Sequence, residues 1–176
     1  YAGGKFNNRN YTFSGGLHGV GVAVSNALSK RCEVTVFRDG QKHTIAFEGG
    51  ELKQKLKSEK IKERKTGTIV RLWPDPKYFD SAHIPMNELE HLVRSKAYLL
   101  PGLTMALEVE GKQTRLWKYE RGMAQYFEMM LDGREMVAPL FTGEKYFDDK
   151  TQLTDIEPGE GASWAIGWVA EGDVFA

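Results

Sequence analysis

The chain of 176 residues holds a single cysteine, Cys32, and that one scarcity removes two classes of protein together. A disulfide framework needs pairs, and a cysteine-based metal centre needs a cluster. No apolar run approaches the ~20 residues of a membrane-spanning helix, and no signal peptide can be recognised, so a cytoplasmic protein is expected. Charge of one sign is also missing in excess: 24 Lys and Arg balance 24 Asp and Glu for a net +0. A chain that is basic as a whole, gripping nucleic acid along its entire surface, is thereby excluded, although local patches are not. There is no internal repeat and no low-complexity stretch beyond one lysine-rich segment. With 41% hydrophobic residues, the length suffices for the core of one domain or two small ones.

What the chain does have is glycine in a telling place. Ser14-Gly15-Gly16-Leu17-His18-Gly19-Val20-Gly21-Val22 sets four glycines around one apolar and one imidazole side chain and leads straight into a helical pattern, Val20, Val24, Ala27 and Leu28. Glycines permit positive φ and close backbone approach, so several N–H groups can converge on an anion in front of a helix N-terminus. A nucleotide phosphate suits such a cradle; a flexible turn tightening onto a packed helix is the alternative. Upstream, Ala2-Gly3-Gly4-Lys5-Phe6 and the asparagine-rich run to Tyr11 read as a mobile lid. Lys5 offers a point charge to phosphate and Tyr11 an aromatic face with a hydroxyl; a solvated loop is the alternative.

Further along, the helix is expected to reach about Ser29, with a strand rich in β-branched residues from Glu33 to Arg38 and Cys32 beside it as a small buried hydrophobe. Asp39-Gly40 is a hairpin turn into a return strand, Gln41 to Glu48, closed by Gly49-Gly50. Between Glu51 and Lys65 stand seven cationic side chains against three glutamates. A DNA-facing patch is one reading; a solvated loop or irregular strand edge is favoured, because no aromatic is interleaved and lysines commonly guard edges. Lys65-Thr66-Gly67-Thr68 turns into a central strand ended by Pro74, with Trp73 in the core. Asn87 caps a helix whose Leu89, Leu92, Val93, Ala97 and Leu100 face the core, and His91 lies at its surface. A hairpin from Thr104 to Tyr119 adds two strands to the sheet. A helix from Gly122 carries Met123, Tyr126, Phe127 and Met130 inward, a loop runs from Asp132 to Glu160, and Ser163 to Val169 forms a last strand.

The lid AGGKF followed by SGGLHGVG, with KTGT further on, resembles the GHKL ATPases, specifically the B subunits of bacterial type II DNA topoisomerases. The wording RLWPDPKYFDS and SKAYLLPGLTMALE is more similar to the topoisomerase IV branch than to the gyrase branch, whose ATP-dependent negative supercoiling is the alternative. The resemblance is tightest over residues 1 to 38 and 65 to 80. It implies an α+β fold: residues 1–120 as the C-terminal part of a GHKL (Bergerat) ATP-binding α/β sandwich, and 121–176 as the start of a transducer similar to the second domain of ribosomal protein S-five. It further implies ATP and Mg2+ as cofactors, DNA and an A subunit (ParC type) as partners, dimerisation of the B subunit on ATP binding, and decatenation and relaxation as outcome. On this resemblance Gly4 and Lys5 belong to the lid, Tyr11 lies near ribose or phosphates, Leu17, His18, Gly19, Val20 and Gly21 surround the triphosphate mainly through their backbone, and Thr68 reads adenine through water. The family's water-activating glutamate, magnesium asparagine and adenine aspartate have no counterpart after Tyr1, so a fragment is expected, with no catalytic or metal-binding residue of its own. Other GHKL proteins, a histidine kinase or a chaperone, and a non-catalytic nucleic-acid module using the lysine-rich segment are the rival readings.

Overall fold

The computed structural model describes residues 19–81, 83–146 and 161–172. The chain divides into two compact units, Tyr1–His83 and Ile84–Ala176. Helix and sheet are mixed in an α+β arrangement, and among the described residues no helix is long and apolar enough to cross a membrane.

The first unit holds helix α1 (Gly21–Ala27) and strands β1 (Ser29–Arg38), β2 (Gln41–Glu48), β3 (Glu51–Lys60) and β4 (Gly67–Pro74), in a four-stranded antiparallel sheet of order β3-β2-β1-β4. The Asp39-Gly40 turn between β1 and β2 has left-handed backbone at both central residues, φ 52° and 70°, the geometry that lets a two-residue loop follow the twist of its strands. β1 begins at Ser29, four residues before the expected start, because Ser29 and Arg31 to Cys32 pair with Pro74 and Trp73 to Leu72 across the sheet. α1 is correspondingly short. Ser29 is buried, and its hydroxyl closes the helix end by donating to the Ser25 carbonyl at 2.7 Å.

Register assigns the two faces. Leu72, Cys32, Phe47 and Leu52 form one row across all four strands, with Val70, Val34 and Ile45 as the next row on the same face. The opposite face carries a charged cluster around Arg31, which bonds Glu33 and Glu48 and stands over the Trp73 ring at 5.9 Å, while Lys53 joins Glu48 at 3.2 Å. Cys32 is 1% exposed. Its thiol is pushed above the ordinary value, first by burial and then by the neighbouring Glu33 carboxylate. Two expectations fail in β4. It is an edge strand of the described sheet rather than a central one, and Trp73 is 43% exposed rather than core, because only β1 pairs with β4 and the ring covers Arg31 instead of an apolar layer.

In the second unit, helix α2 (Met86–Leu99) packs on the hairpin of β5 (Thr104–Leu107) and β6 (Arg115–Lys118) and on helix α3 (Gly122–Met130). α2 starts at Met86 behind Pro85, with no side-chain cap, so Asn87 lies inside the helix and not at its cap. Ala97 is fully buried, whereas Leu92 and Leu100 remain 53% and 40% exposed, so the expected stripe is buried only in part. The hairpin forms a separate two-stranded sheet. Tyr98, Tyr119 and Tyr126 interlock: Tyr98 stacks on Tyr126 at 4.1 Å, Tyr119 meets both edge-on, and Arg94 lies over the Tyr126 ring while its Nε donates to the Tyr119 hydroxyl at 2.9 Å. Each such ring or cation contact contributes about 0.5–1.5 kcal/mol beyond area burial. β7 (Phe141–Tyr146), within the stretch expected as loop, pairs with β8 (Gly161–Ile166).

Two expected outcomes test this packing. Cys32 in the native protein should resist alkylation at pH 8, because a raised pKa leaves little thiolate and the sulfur is covered, and should react readily once urea unfolds the sheet. Equal rates in both states would contradict its burial. Gly122 has φ +53°, and a Cβ there would lie 2.8 Å from Pro101 Cγ and 3.0 Å from the Tyr98 carbonyl oxygen, whereas Gly111, at φ +74°, has open space. Gly122→Ala should therefore cost about 2–3 kcal/mol in urea denaturation, and Gly111→Ala about 1 kcal/mol. Indistinguishable midpoints would refute the close approach.

Candidate nucleotide-binding site

Of the residues expected in the site, Gly4, Lys5, Tyr11, Leu17 and His18 lie outside the described residues. Gly19, Val20, Gly21 and Thr68 are described. Gly19 is left-handed, φ +65°, a conformation that costs an L-residue about 1–2 kcal/mol. Val20, at φ −90° and ψ −16°, is the N-cap of α1 and brings no side-chain hydrogen bond; Gly21 is the first helical residue, and no acidic side chain stands in the first turn. The leading N–H groups of a helix have no partner within it. Here they open towards Gly19 with neither a capping oxygen nor a carboxylate to compete for them, which is an electrostatic setting for an anion.

The two glycines differ in why they are needed. At Gly21 the backbone is ordinary and an added Cβ would meet nothing within 4 Å, so the fold alone does not require glycine there. Only Gly19 is demanded by conformation. Val20 and Val24 are 42% and 52% exposed and Ala27 is exposed too, so the apolar stripe that suggests a packed helix is largely uncovered.

Thr68 lies exposed in β4, opposite Val36 and on the same face as Val70 and Leu72. Among the described residues no hydrogen bond joins it to Gly19–Gly21. The two parts of the site are instead related through the far ends of their elements: the Asp75 N–H donates to the Leu28 carbonyl at 3.0 Å, tying the end of β4 to the end of α1. From that junction α1 runs back about 10 Å and β4 about 20 Å to Thr68. Asp75 itself is fixed by Lys77. Its burial pushes the carboxyl up, but the Lys77 N–H and ammonium, with Lys30 further off, outweigh that and hold it below the usual carboxylate range.

One group that sequence reasoning passed over lies near the C-terminal end of α1. The Asn26 side-chain oxygen is buried with no hydrogen-bond partner among the described residues. An asparagine inside a helix carries no distinguishing sequence signal, and only the atom's burial exposes it. Among the described residues no group of three or more His, Cys, Asp or Glu side chains could hold a metal ion.

No family model matches the chain. It is 44% identical to the B subunit of DNA topoisomerase 4 from Salmonella typhimurium over 176 residues, covering 98% of this chain and 26% of that protein. It is 36% identical to the B subunit of DNA gyrase from Haloferax volcanii over 162 residues, 89% of this chain and 25% of that one. The topoisomerase IV ATP-binding domain of Francisella tularensis, solved with a small-molecule inhibitor, superimposes with a TM-score of 0.62 at 35% identity, covering 77% of this chain and 38% of that one. The chain spans about a quarter of the length of the curated relatives it matches. Over that quarter, this chain belongs to the family of type II DNA topoisomerase B subunits, with higher identity to the topoisomerase IV member than to the gyrase member compared.

Proposed function

We propose that this chain supplies the phosphate-binding part of an ATP site that drives strand passage in a type II topoisomerase of the topoisomerase IV kind. The observation that carries the reading is the uncapped N-terminus of α1 entered through a left-handed Gly19, in a chain 44% identical to a topoisomerase 4 B subunit. In this reading the N–H groups of Leu17 to Gly21 surround the triphosphate, with a smaller share for the His18 side chain. Lys5 and Gly4 close the lid over it, Tyr11 contacts ribose or phosphates, and Thr68 meets adenine through water. Phosphoryl transfer is catalysed by positioning and electrostatics, which is the kind of contribution a backbone cradle and a lysine make. Mg2+, when bound, neutralises charge on the phosphates. The residues that hold it, and the carboxylate that activates water, are assigned to parts of the B subunit other than these residues.

The rest of the proposal follows the family. Residues 1–120 complete the ATP-binding domain and 121–176 open the transducer; two B subunits close when ATP binds; an A subunit of ParC type cuts and rejoins DNA; and the whole works in the cytoplasm on decatenation and relaxation.

The glycines separate folding from binding. In the full-length B subunit, Gly19→Ala should lower stability by about 1–2 kcal/mol and weaken binding of a non-hydrolysable ATP analogue. Gly21→Ala should leave urea stability unchanged or slightly raised, because alanine is the better helix former, and yet weaken the analogue about tenfold or more by blocking backbone approach. Normal analogue binding by both variants would reduce the loop to a packing turn. Lys5→Ala should cut ATP turnover while leaving inhibitors that occupy only the adenine pocket almost unaffected, since a charge-assisted contact to phosphate is lost and nothing at the base changes. Steady-state ATPase kinetics and inhibitor titration check this, and wild-type turnover would remove Lys5 from the site.

A further inference from the structure

The segment from Glu51 to Lys65 concentrates charge as nothing else in the chain does. Seven cationic and three acidic side chains give it a net +4, so the remainder of a chain totalling +0 carries −4. All ten residues of β3 are exposed, and β3 is the outer strand of its sheet, paired only with β2. Ten strand residues extend about 33 Å, several times the ~10 Å over which 0.1 M salt screens a charge, so acidic groups elsewhere do not cancel this strip locally.

Its lysines are not equally committed. Lys53 is paired with Glu48 at 3.2 Å, Lys57 lies 3.9 Å from Glu59, which Lys42 also engages, and Lys65 sits over the Phe37 ring at 4.5 Å. Lys55, Lys60, Lys62 and Arg64 have no ion pair among the described residues. The pairing of β3 with β2 shifts register twice, between Thr44 and Ala46 and between Ala46 and Phe47. Such bulges twist an edge away from further strand addition, and lysines oppose it as well, so another β-strand is an unsuitable partner. Guarding the edge, however, needs charge of either sign. An excess of one sign, opposite to the rest of the chain, calls for a polyanion. From Glu51 to Lys65 there is no aromatic residue on which unpaired bases could stack, which disfavours single strands and leaves the phosphate backbone of a duplex.

We propose that the outer edge of β3 and the turn after it, through Lys55, Lys60, Lys62 and Arg64, bind the phosphate backbone of double-stranded DNA without regard to sequence. This rests on the reading above that DNA is a partner, and adds the surface that touches it. Phosphate contacts of this kind position a duplex and carry no sequence information.

Salt dependence tests the proposal in the full-length B subunit. Binding of a labelled duplex of arbitrary sequence is followed between about 50 and 200 mM salt, where log affinity falls by about 0.9 per phosphate neutralised. The variant Lys55→Glu, Lys60→Glu, Lys62→Glu, Arg64→Glu keeps the edge charged against strand pairing but reverses its sign. It should lose at least about a hundredfold in affinity at the lower salt, and its slope should become shallower by about 3. Lys55→Arg, Lys60→Arg, Lys62→Arg should retain wild-type affinity and slope. An unchanged slope in the glutamate variant would overturn the proposal, and so would equal loss in the arginine variant, which would mark a structural role. ATP turnover without DNA should be wild-type in both variants, because none of these side chains is placed at the nucleotide. Absence of that turnover from the wild-type protein would instead count against the ATPase reading, whatever the salt slopes.

Discussion

β1 is paired on both sides, with β2 from Arg31 to Arg38 and with β4 from Ser29 to Phe37. A strand in that position has its backbone polar groups satisfied by two neighbours, and every side chain it carries has its direction settled by the pleat. The consequences spread outward. Cys32 comes to the centre of the apolar rows, Arg31 one residue earlier comes to the centre of the charged row, and the start of β1 at Ser29 determines where α1 must stop. A shift of one residue would carry the arginine into the apolar face and the thiol into the charged one, so the register is strongly held. The glycine turn and Thr68 are both attached to this frame, one through α1 and the other through β4.

Much of that frame was legible. Asp39-Gly40 between two β-branched runs dictated a hairpin, and both residues have the positive φ that such a turn requires. The α3 helix from Gly122 was readable because its apolar spacing is helical over two turns. Local signals failed where the deciding partner is distant in sequence. Ser29 to Cys32 could have continued the helix, and it is Trp73 and Pro74 that draw them into a strand. Phe141–Tyr146, with a glycine and two charges among six residues, becomes a strand only because β8 lies beside it. Lysine alternation in β3 has little apolar face to read, so loop and edge were equally consistent with it.

The candidate site was legible unevenly, and for a related reason. A left-handed Gly19 follows from chemistry, since glycine is the residue that adopts that φ without strain. Gly21 looked equivalent in sequence, yet its backbone is that of an ordinary helix start. Thr68 could not be singled out by propensity at all, because threonine is at home in any strand; the family resemblance alone distinguished it. Trp73, expected in the core, lies across an arginine instead, since a large ring can do either.

The sheet's connectivity also orders its formation in time. β1, β2 and β3 are joined by tight turns and can zip by local closure, whereas β4 pairs with a strand that precedes it by two whole strands and the loop from Ile61 to Thr66. The entropy lost in closing a long loop must be met before any pairing rewards it, so contacts of high sequence separation lag behind hairpins. By that reasoning β4 docks after β1, β2 and β3, and with it the Leu28–Asp75 junction. Thr68 and the glycine turn therefore gain a common frame through the pairing of highest sequence separation in this sheet, whereas the lysine-bearing edge on its opposite side is built by local closure alone.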